Sequence, residues 1–269
     1  MSKVQSPKSD DGTTSLSTDD RRERKRDQGQ AHLSPADFGL WTLDIGQLTV
    51  TDLRKAFLSP SGARIEVLRG ISFSAAAGET IAIVGASGAG KSTLLHLIGG
   101  IEQADHGSIK LGEFAIEEAN RAELARYRNR QVGFVFQFHH LLADLTAAEN
   151  IGLPLTLARH DRHKAIRRAL EALERLGLAN RATHRVTDLS GGEQQRVAVC
   201  RALITQPVLV LADEPTGNLD SNSGGQLADD LISYAASRPA IVIIATHNQD
   251  VAQSCNRLLT LEQGRISEN

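Results

Sequence analysis

"TIAIVGASGAGKSTLLHLIGG", Thr80 to Gly100, is a strand-sized apolar run, a glycine-rich turn and a helix-forming run in direct succession. Its centre, "GASGAGKS" from Gly85 to Ser92, fits G-x-x-x-x-G-K-[ST], and the flanking strand and helix are the setting that pattern needs. Gly85, Gly88 and Gly90 let the backbone N–H groups of the loop turn inward. With Ala86, Ser87, Ala89 and Thr93 they form a cradle for phosphate, backed by the positive end of the helix dipole. Lys91 then reaches the β and γ phosphates of a nucleoside triphosphate, and Ser92 is placed to ligate Mg²⁺.

Further continuously apolar runs lie downstream: "VGFVF" (132–136), "VLVLA" (208–212) and "AIVIIAT" (240–246). Continuous rather than alternating apolarity suits strands buried on both faces, which predicts an α/β fold with a parallel sheet. Upstream, Leu48 to Phe73 reads as a small hairpin-like sheet broken at "SPSG", Ser59 to Gly62. Residues 138 to 188 read as an inserted helical lobe, with a capping box at Thr146 and Glu149 and an amphipathic stretch from Asp161 to Gly177. Residues 1 to 45 are polar and charged and predict a disordered tail, leaving 46–269 as the folded domain. Within the tail, "RRERKR" (21–26) is diluted by Asp19, Asp20, Glu23 and Asp27, which favours a solvated run over a lipid-binding one, and "FGLW" (38–41) is a candidate for local docking.

Bulk properties narrow the field. A net charge of -2 gives no global reason to expect nucleic acid as a partner. Cys200 and Cys255 stand apart, without C-x-x-C or metal-ligand spacing, and fit a reducing compartment. The N-terminus lacks an apolar signal core, and no apolar run approaches the roughly 18 residues that span a bilayer.

Two further segments carry chemistry. "VLVLADEP" ends a buried strand on Asp213 and Glu214, at the sheet edge where open parallel sheets bind ligands. Asp213 is the candidate Mg²⁺ ligand, and Glu214 the candidate base for water attacking a γ-phosphate in line. "LSGGEQQRVAVCRAL" (189–203) begins with a capping box, Ser190 and Glu193, enclosing Gly191 and Gly192. Such a helix start exposes N–H donors and makes a second anion site, yet one triphosphate already has its cradle. Read alone, this is also compatible with an ordinary capped helix.

Taken in order, the P-loop, "VFQ", "LSGGEQQR", "LADEPTGNLD" and "ATH" resemble the ATP-binding subunits of ABC transporters over about Leu48 to Ser267. That resemblance implies a P-loop core with an N-terminal antiparallel β subdomain and an inserted helical subdomain, binding ATP and Mg²⁺ and hydrolysing ATP. It also implies a head-to-tail dimer in which Ser190, Gly191, Gly192 and Glu193 of one copy close over ATP held by Gly85 to Thr93 of the other. By the same resemblance Gln137 senses Mg²⁺ and water, His247 contacts the γ-phosphate and Asp220 belongs to the D-loop. Phe57 either stacks on adenine or packs in the core.

"QFHHLL", Gln137 to Leu142, raises the question of metal. His139 and His140 diverge if helical and have no third ligand at suitable spacing. Phe138, Leu141, Leu142 and Leu145 instead follow i, i+3, i+4, i+7 spacing, which fits either a groove for a partner helix or the lobe's own core. "QFHHLL", "LTAAENIGLPL", "LLHLIGG" and "LADEPTGNLD" together look like the ATPases of lipoprotein-releasing exporters. That likeness implies integral membrane permease subunits as partners, peripheral attachment to the cytoplasmic side of the inner membrane, and only an indirect link to lipoprotein cargo. Ala143 and Cys200 depart from that pattern, where Pro and Ala are common. The alternatives are an ATPase of the macrolide/peptide-efflux or cell-division type, and a soluble ABC ATPase acting on DNA or ribosomes. The latter usually carries a coiled-coil insertion or paired ATPase domains, and this chain has one P-loop and no long heptads.

Overall fold

The computed structural model describes residues 46–217 and 219–268. The expected tail over 1–45, with its basic run and "FGLW", lies outside the described residues. Two sheets organise the described residues. Strands β1 (Leu48–Leu58) and β2 (Arg64–Ala75) form an antiparallel hairpin whose turn is closed by Ser59 accepting from Gly62 and donating to Ala63, both at 2.8 Å. With β4 (His106–Leu111) and β5 (Phe114–Ala115) they make a four-stranded sheet in the order β2-β1-β4-β5.

The second sheet holds six strands in the order β10-β9-β3-β8-β7-β6. Strands β3 (Thr80–Val84), β6 (Val132–Val135), β7 (Leu209–Asp213), β8 (Ile241–Ala245) and β9 (Arg257–Glu262) are parallel, and β10 (Arg265–Glu268) closes the edge antiparallel. Every residue of β7 and β8 is buried, as the unbroken apolar runs require of strands covered on both faces. One core packs Leu53, Leu68 and Ile71 of the antiparallel sheet against Ile81, Ile83 and helix α1 (Lys91–Ile98). Helix α2 (Arg121–Arg130) adds Tyr127 to it. A second core fills the opposite face, where Leu227 and Leu231 of helix α6 (Ser221–Ser237) meet Val210, Val242 and Ile244. Short helix α7 (Gln249–Gln253) contributes Val251.

The helical lobe has its own core. Helices α3 (Ala147–Leu157) and α4 (Arg162–Arg175) bury Ile151, Leu155, Ala169 and Leu173 against Val197 and Cys200 of α5 (Gly191–Leu203). Thr146 and Glu149 form the expected capping box, and Asp161 caps α4. One expectation fails here: residues 138–145 are not helical, and the helix begins at Ala147. The backbone of this loop is bound by side chains rather than by its own i+4 amides. Asn150 accepts from the Leu142 N–H (2.8 Å) and donates to the carbonyls of Leu142 (3.0 Å), Thr146 (3.1 Å) and Leu145 (3.3 Å). His140 also sits at φ 47°, which interrupts a right-handed helix. The apolar spacing read there therefore has no common face: Phe138 and Leu142 are 69% and 49% exposed, whereas Leu141 packs on the lobe core.

Candidate functional site

Strands β3, β8, β7 and β6 lie side by side and parallel, so their carboxyl ends share one edge. The loops leaving those ends carry, in the same order, Gly85–Gly90, His247, Glu214 and Gln137. Neighbouring strands are about 4.8 Å apart, which brings residues distant in sequence within reach of one small ligand.

At the first of these ends the loop turns into α1 through Gly90, which has φ 106° and serves as N-cap with no side-chain hydrogen bond. A Cβ at Gly90 would stand 2.9 Å from the Val67 side chain, so both conformation and space exclude other residues. No acidic residue lies in the first turn of α1, and the helix start keeps its positive character. Lys91 is buried and donates to the carbonyls of Gly85 (2.8 Å) and Ala86 (3.2 Å), which holds its ammonium inside the loop. Ser92, next in the helix, hydrogen-bonds the carboxylate of Asp213. Burial pushes the Asp213 carboxyl up, while Ser92, His96 and Lys91 pull it back. A desolvated carboxylate paired with a hydroxyl is an arrangement of hard oxygen donors.

Beyond Asp213, Glu214 adopts φ 46°, and its amide donates to the Ala245 carbonyl at 2.9 Å. That backbone bond joins β7 to the end of β8. The Glu214 carboxylate lies 2.8 Å from His247 Nδ1 and also accepts from the His247 amide at 3.3 Å. The imidazole itself remains 74% exposed. The structure thus unites Lys91, Ser92, Asp213, Glu214 and His247, while Gln137 occupies an exposed position just beyond β6.

Ser190 and Glu193 form the expected reciprocal cap on α5: the Ser190 amide donates to Glu193 at 2.8 Å, and the Glu193 amide donates to Ser190 Oγ at 3.3 Å. Arg181 donates to Glu193 at 2.9 Å, and with the Ser190 amide lowers the Glu193 carboxyl to about 2. Ser190 and Gly191 are exposed, and open space surrounds Gly191. Among the described residues, no hydrogen bond or ion pair joins Ser190–Glu193 to the P-loop of the same chain. Asp220 caps α6 by accepting from the Ser223 amide at 3.1 Å, which holds its carboxyl below the usual range. Phe57 is partly exposed on β1, opposite Ile65 on β2, with the Lys55 ammonium 5.1 Å from its ring centroid.

Three contributors escape sequence reasoning. His96 of α1 faces Asp213 and lies against the ring of Phe134, with centroids 5.6 Å apart. Gln195 of α5 donates to the Pro215 carbonyl at 2.7 Å, connecting the Ser190 helix to the turn that carries Glu214. Arg201 of α5 donates to the carbonyls of His140 (2.6 Å) and His139 (2.8 Å). A helical-wheel reading identifies Gln195 and Arg201 only as polar positions on a largely buried helix.

Residues 68–217 match the ABC transporter family model. The chain is 47% identical over 219 residues to the lipoprotein-releasing system ATP-binding protein LolD of Geobacter metallireducens, covering 81% of this chain and 97% of that protein. It is 44% identical to the same-named protein of Myxococcus xanthus over 77% of this chain and 92% of that one. Among solved structures, the ATP-binding cassette MJ0796 in a dimeric post-hydrolysis state with ADP and Pi superposes with a TM-score of 0.77. Its sequence identity is 32%, covering 82% of this chain and 98% of that one. With motifs, topology and relatives in agreement, the chain belongs to the ABC transporter family, among the ATP-binding subunits of lipoprotein-releasing systems.

Proposed function

We propose that this chain hydrolyses ATP to drive a lipoprotein-releasing exporter, with residues 46–269 as its nucleotide-binding domain and a helical subdomain over about 138–188. The observation that carries the reading is the meeting of Lys91, the Ser92–Asp213 pair and the Glu214–His247 pair at one sheet edge.

In this reading the backbone amides of Gly85 to Thr93 surround the phosphates, and Lys91 exchanges its carbonyl partners for β and γ oxygens. Ser92, Asp213 and Gln137 would hold Mg²⁺, which when bound neutralises charge on the phosphate oxygens. The buried Asp213 carboxylate and its hydroxyl partner fit such a cation, since it would relieve the desolvation that raises the carboxyl. Glu214 orients the attacking water, and its two contacts to residue 247 fix the carboxylate before substrate arrives. With Nδ1 committed to Glu214, His247 has Nε2 left for the γ-phosphate. Phe57 stacks on adenine.

The exposed Ser190 and Gly191, unattached to the P-loop of their own chain, support a second copy as the owner of the ATP they cover, with Asp220 at the same junction. Among the described residues no helix is long and apolar enough to cross a membrane. Cargo would then be handled by integral permease subunits, with this chain attached to them on the cytoplasmic side of the inner membrane. Exposed Phe138 and Leu142 beside Gln137 support that attachment. Affinity purification from membranes, followed by identification of the bound permease, tests the assignment: a lipoprotein-releasing permease is expected, and an efflux or cell-division permease would overturn it. Glu214→Gln tests the chemistry. ATP binding should persist and steady turnover should vanish, whereas wild-type turnover would remove Glu214 from the base role.

A further inference from the structure

Gln137 lies on a loop whose shape is imposed from outside. His140 holds a left-handed φ of 47° without being glycine, and its ring meets Phe136 edge-on at 4.8 Å. The carbonyls on either side of that kink, at His139 and His140, both accept from the guanidinium of Arg201, at 2.8 and 2.6 Å. The His139 ring rests against Gln194, seven residues earlier and two turns along the same helix. Both anchors therefore stand on α5, whose first residues follow Ser190.

We propose that Arg201 is a positioning residue that locks the Gln137 loop to α5, so that the Gln137 side of a nucleotide site and the Ser190 end of the same chain move as one body. The guanidinium suits this task because its planar fork serves two adjacent carbonyls at once, whereas an ammonium serves them as a point donor. Loss of the fork frees the His140 kink, and Gln137, three residues away, loses its fixed approach to the Mg²⁺ side of the site. The inference rests on the proposed role of Gln137 as a Mg²⁺-sensing residue.

The test compares Arg201→Met, Arg201→Lys and Gln137→Ala in the full chain, reading ATP affinity, the Mg²⁺ concentration for half-maximal ATPase, kcat, and amide exchange by mass spectrometry. Arg201→Met is expected to raise the Mg²⁺ requirement at least fivefold with ATP affinity within twofold of wild type. Arg201→Lys should fall between, and exchange should accelerate over 137–146 alone. A raised Mg²⁺ requirement in Gln137→Ala but not in Arg201→Met overturns the inference and leaves the Gln137 role standing. No rise in Gln137→Ala overturns that role, and the inference with it. Faster exchange throughout α3, α4 and α5 in Arg201→Met would make the arginine a fold-stabilising group and overturn positioning.

Discussion

Asn150 is fully buried and belongs to no proposed catalytic step, yet the loop bearing Gln137 depends on it. Its Oδ1 accepts from the Leu142 amide at 2.8 Å, and its two Nδ2 hydrogens serve the carbonyls of Leu142, Thr146 and Leu145 at 3.0, 3.1 and 3.3 Å. Two hydrogens cannot satisfy three acceptors fully, so the amide is worth three hydrogen bonds rather than four. At about 1 kcal/mol each, Asn150→Ala should lose about 3 kcal/mol. The Thr146 carbonyl keeps the Asn150 backbone amide at 2.9 Å, so it is not orphaned, and the expected loss is about 2–3 kcal/mol. Asn150→Asp keeps the acceptor but turns a carboxylate toward carbonyl oxygens in a water-free site, and should lose more than Ala near neutral pH. Urea unfolding followed by circular dichroism measures both, with m unchanged for a pure stability effect. A loss under about 1 kcal/mol for Asn150→Ala, or a more stable Asp than Ala variant at pH 7, would refute the view that this amide organises the loop.

Other perturbations separate binding, docking and stability. Lys91→Ala removes the cation inside the P-loop and should weaken ATP binding by at least tenfold in an equilibrium titration, with the unfolding midpoint little changed. Phe138→Asp combined with Leu142→Asp should leave nucleotide binding intact and abolish co-purification with permease, since both side chains are exposed and neither fills a core. Glu193 has its folded carboxyl near 2, below its ordinary 4.5, because of Arg181 and the Ser190 amide. Its contribution is therefore full above about pH 5 and disappears as pH falls toward 2. With Arg181 partly in water, Glu193→Gln should cost about 1–2 kcal/mol at pH 7 and progressively less in acid, as acid-dependent unfolding curves will report. Burial pushes the thiols of Cys200 and Cys255 up to about 12 and about 11, so buried Cys200 should not react with a disulfide reagent at pH 8 until the chain unfolds, while partly exposed Cys255 should react in the folded chain but well below the rate it shows after unfolding.

The parts of the fold that were legible in the sequence share one physical property: each is decided by its own residues. An unbroken apolar run such as "IVIIA" is buried on both faces wherever it goes, and Ser190 caps whatever helix begins at Gly191. The P-loop needs its glycine at Gly90 because its own backbone turns left-handed there, a local demand to which Val67 of β2 adds a steric one from outside the loop. Residues 137–146 are the opposite case. Their apolar spacing fits a helix, but their carbonyls find better partners in Asn150, four residues beyond the loop, and Arg201, more than fifty residues beyond it. No local pattern encodes that competition, and the expected helical face came apart into an exposed Phe138 and Leu142 and a packed Leu141.

The same distinction separates the halves of the candidate site. Lys91, Ser92, Asp213, Glu214 and His247 follow directly from strand ends, where chain direction alone fixes which residues meet. Gln137 also follows a strand end, β6, but stands at the rim, so its approach depends on the loop beyond it rather than on the sheet. That loop is held by α5, and Gln195 ties α5 in turn to Pro215, one residue past Glu214. A displacement of α5 therefore reaches both the Gln137 loop and the Glu214 turn through fixed hydrogen bonds. If Phe138 and Leu142 dock a partner and Glu214 orients water, as proposed, a partner pressing on those two side chains would act on the same connection from its other end, and the route to the Glu214 turn would run through three side chains of one helix: Gln194, Gln195 and Arg201.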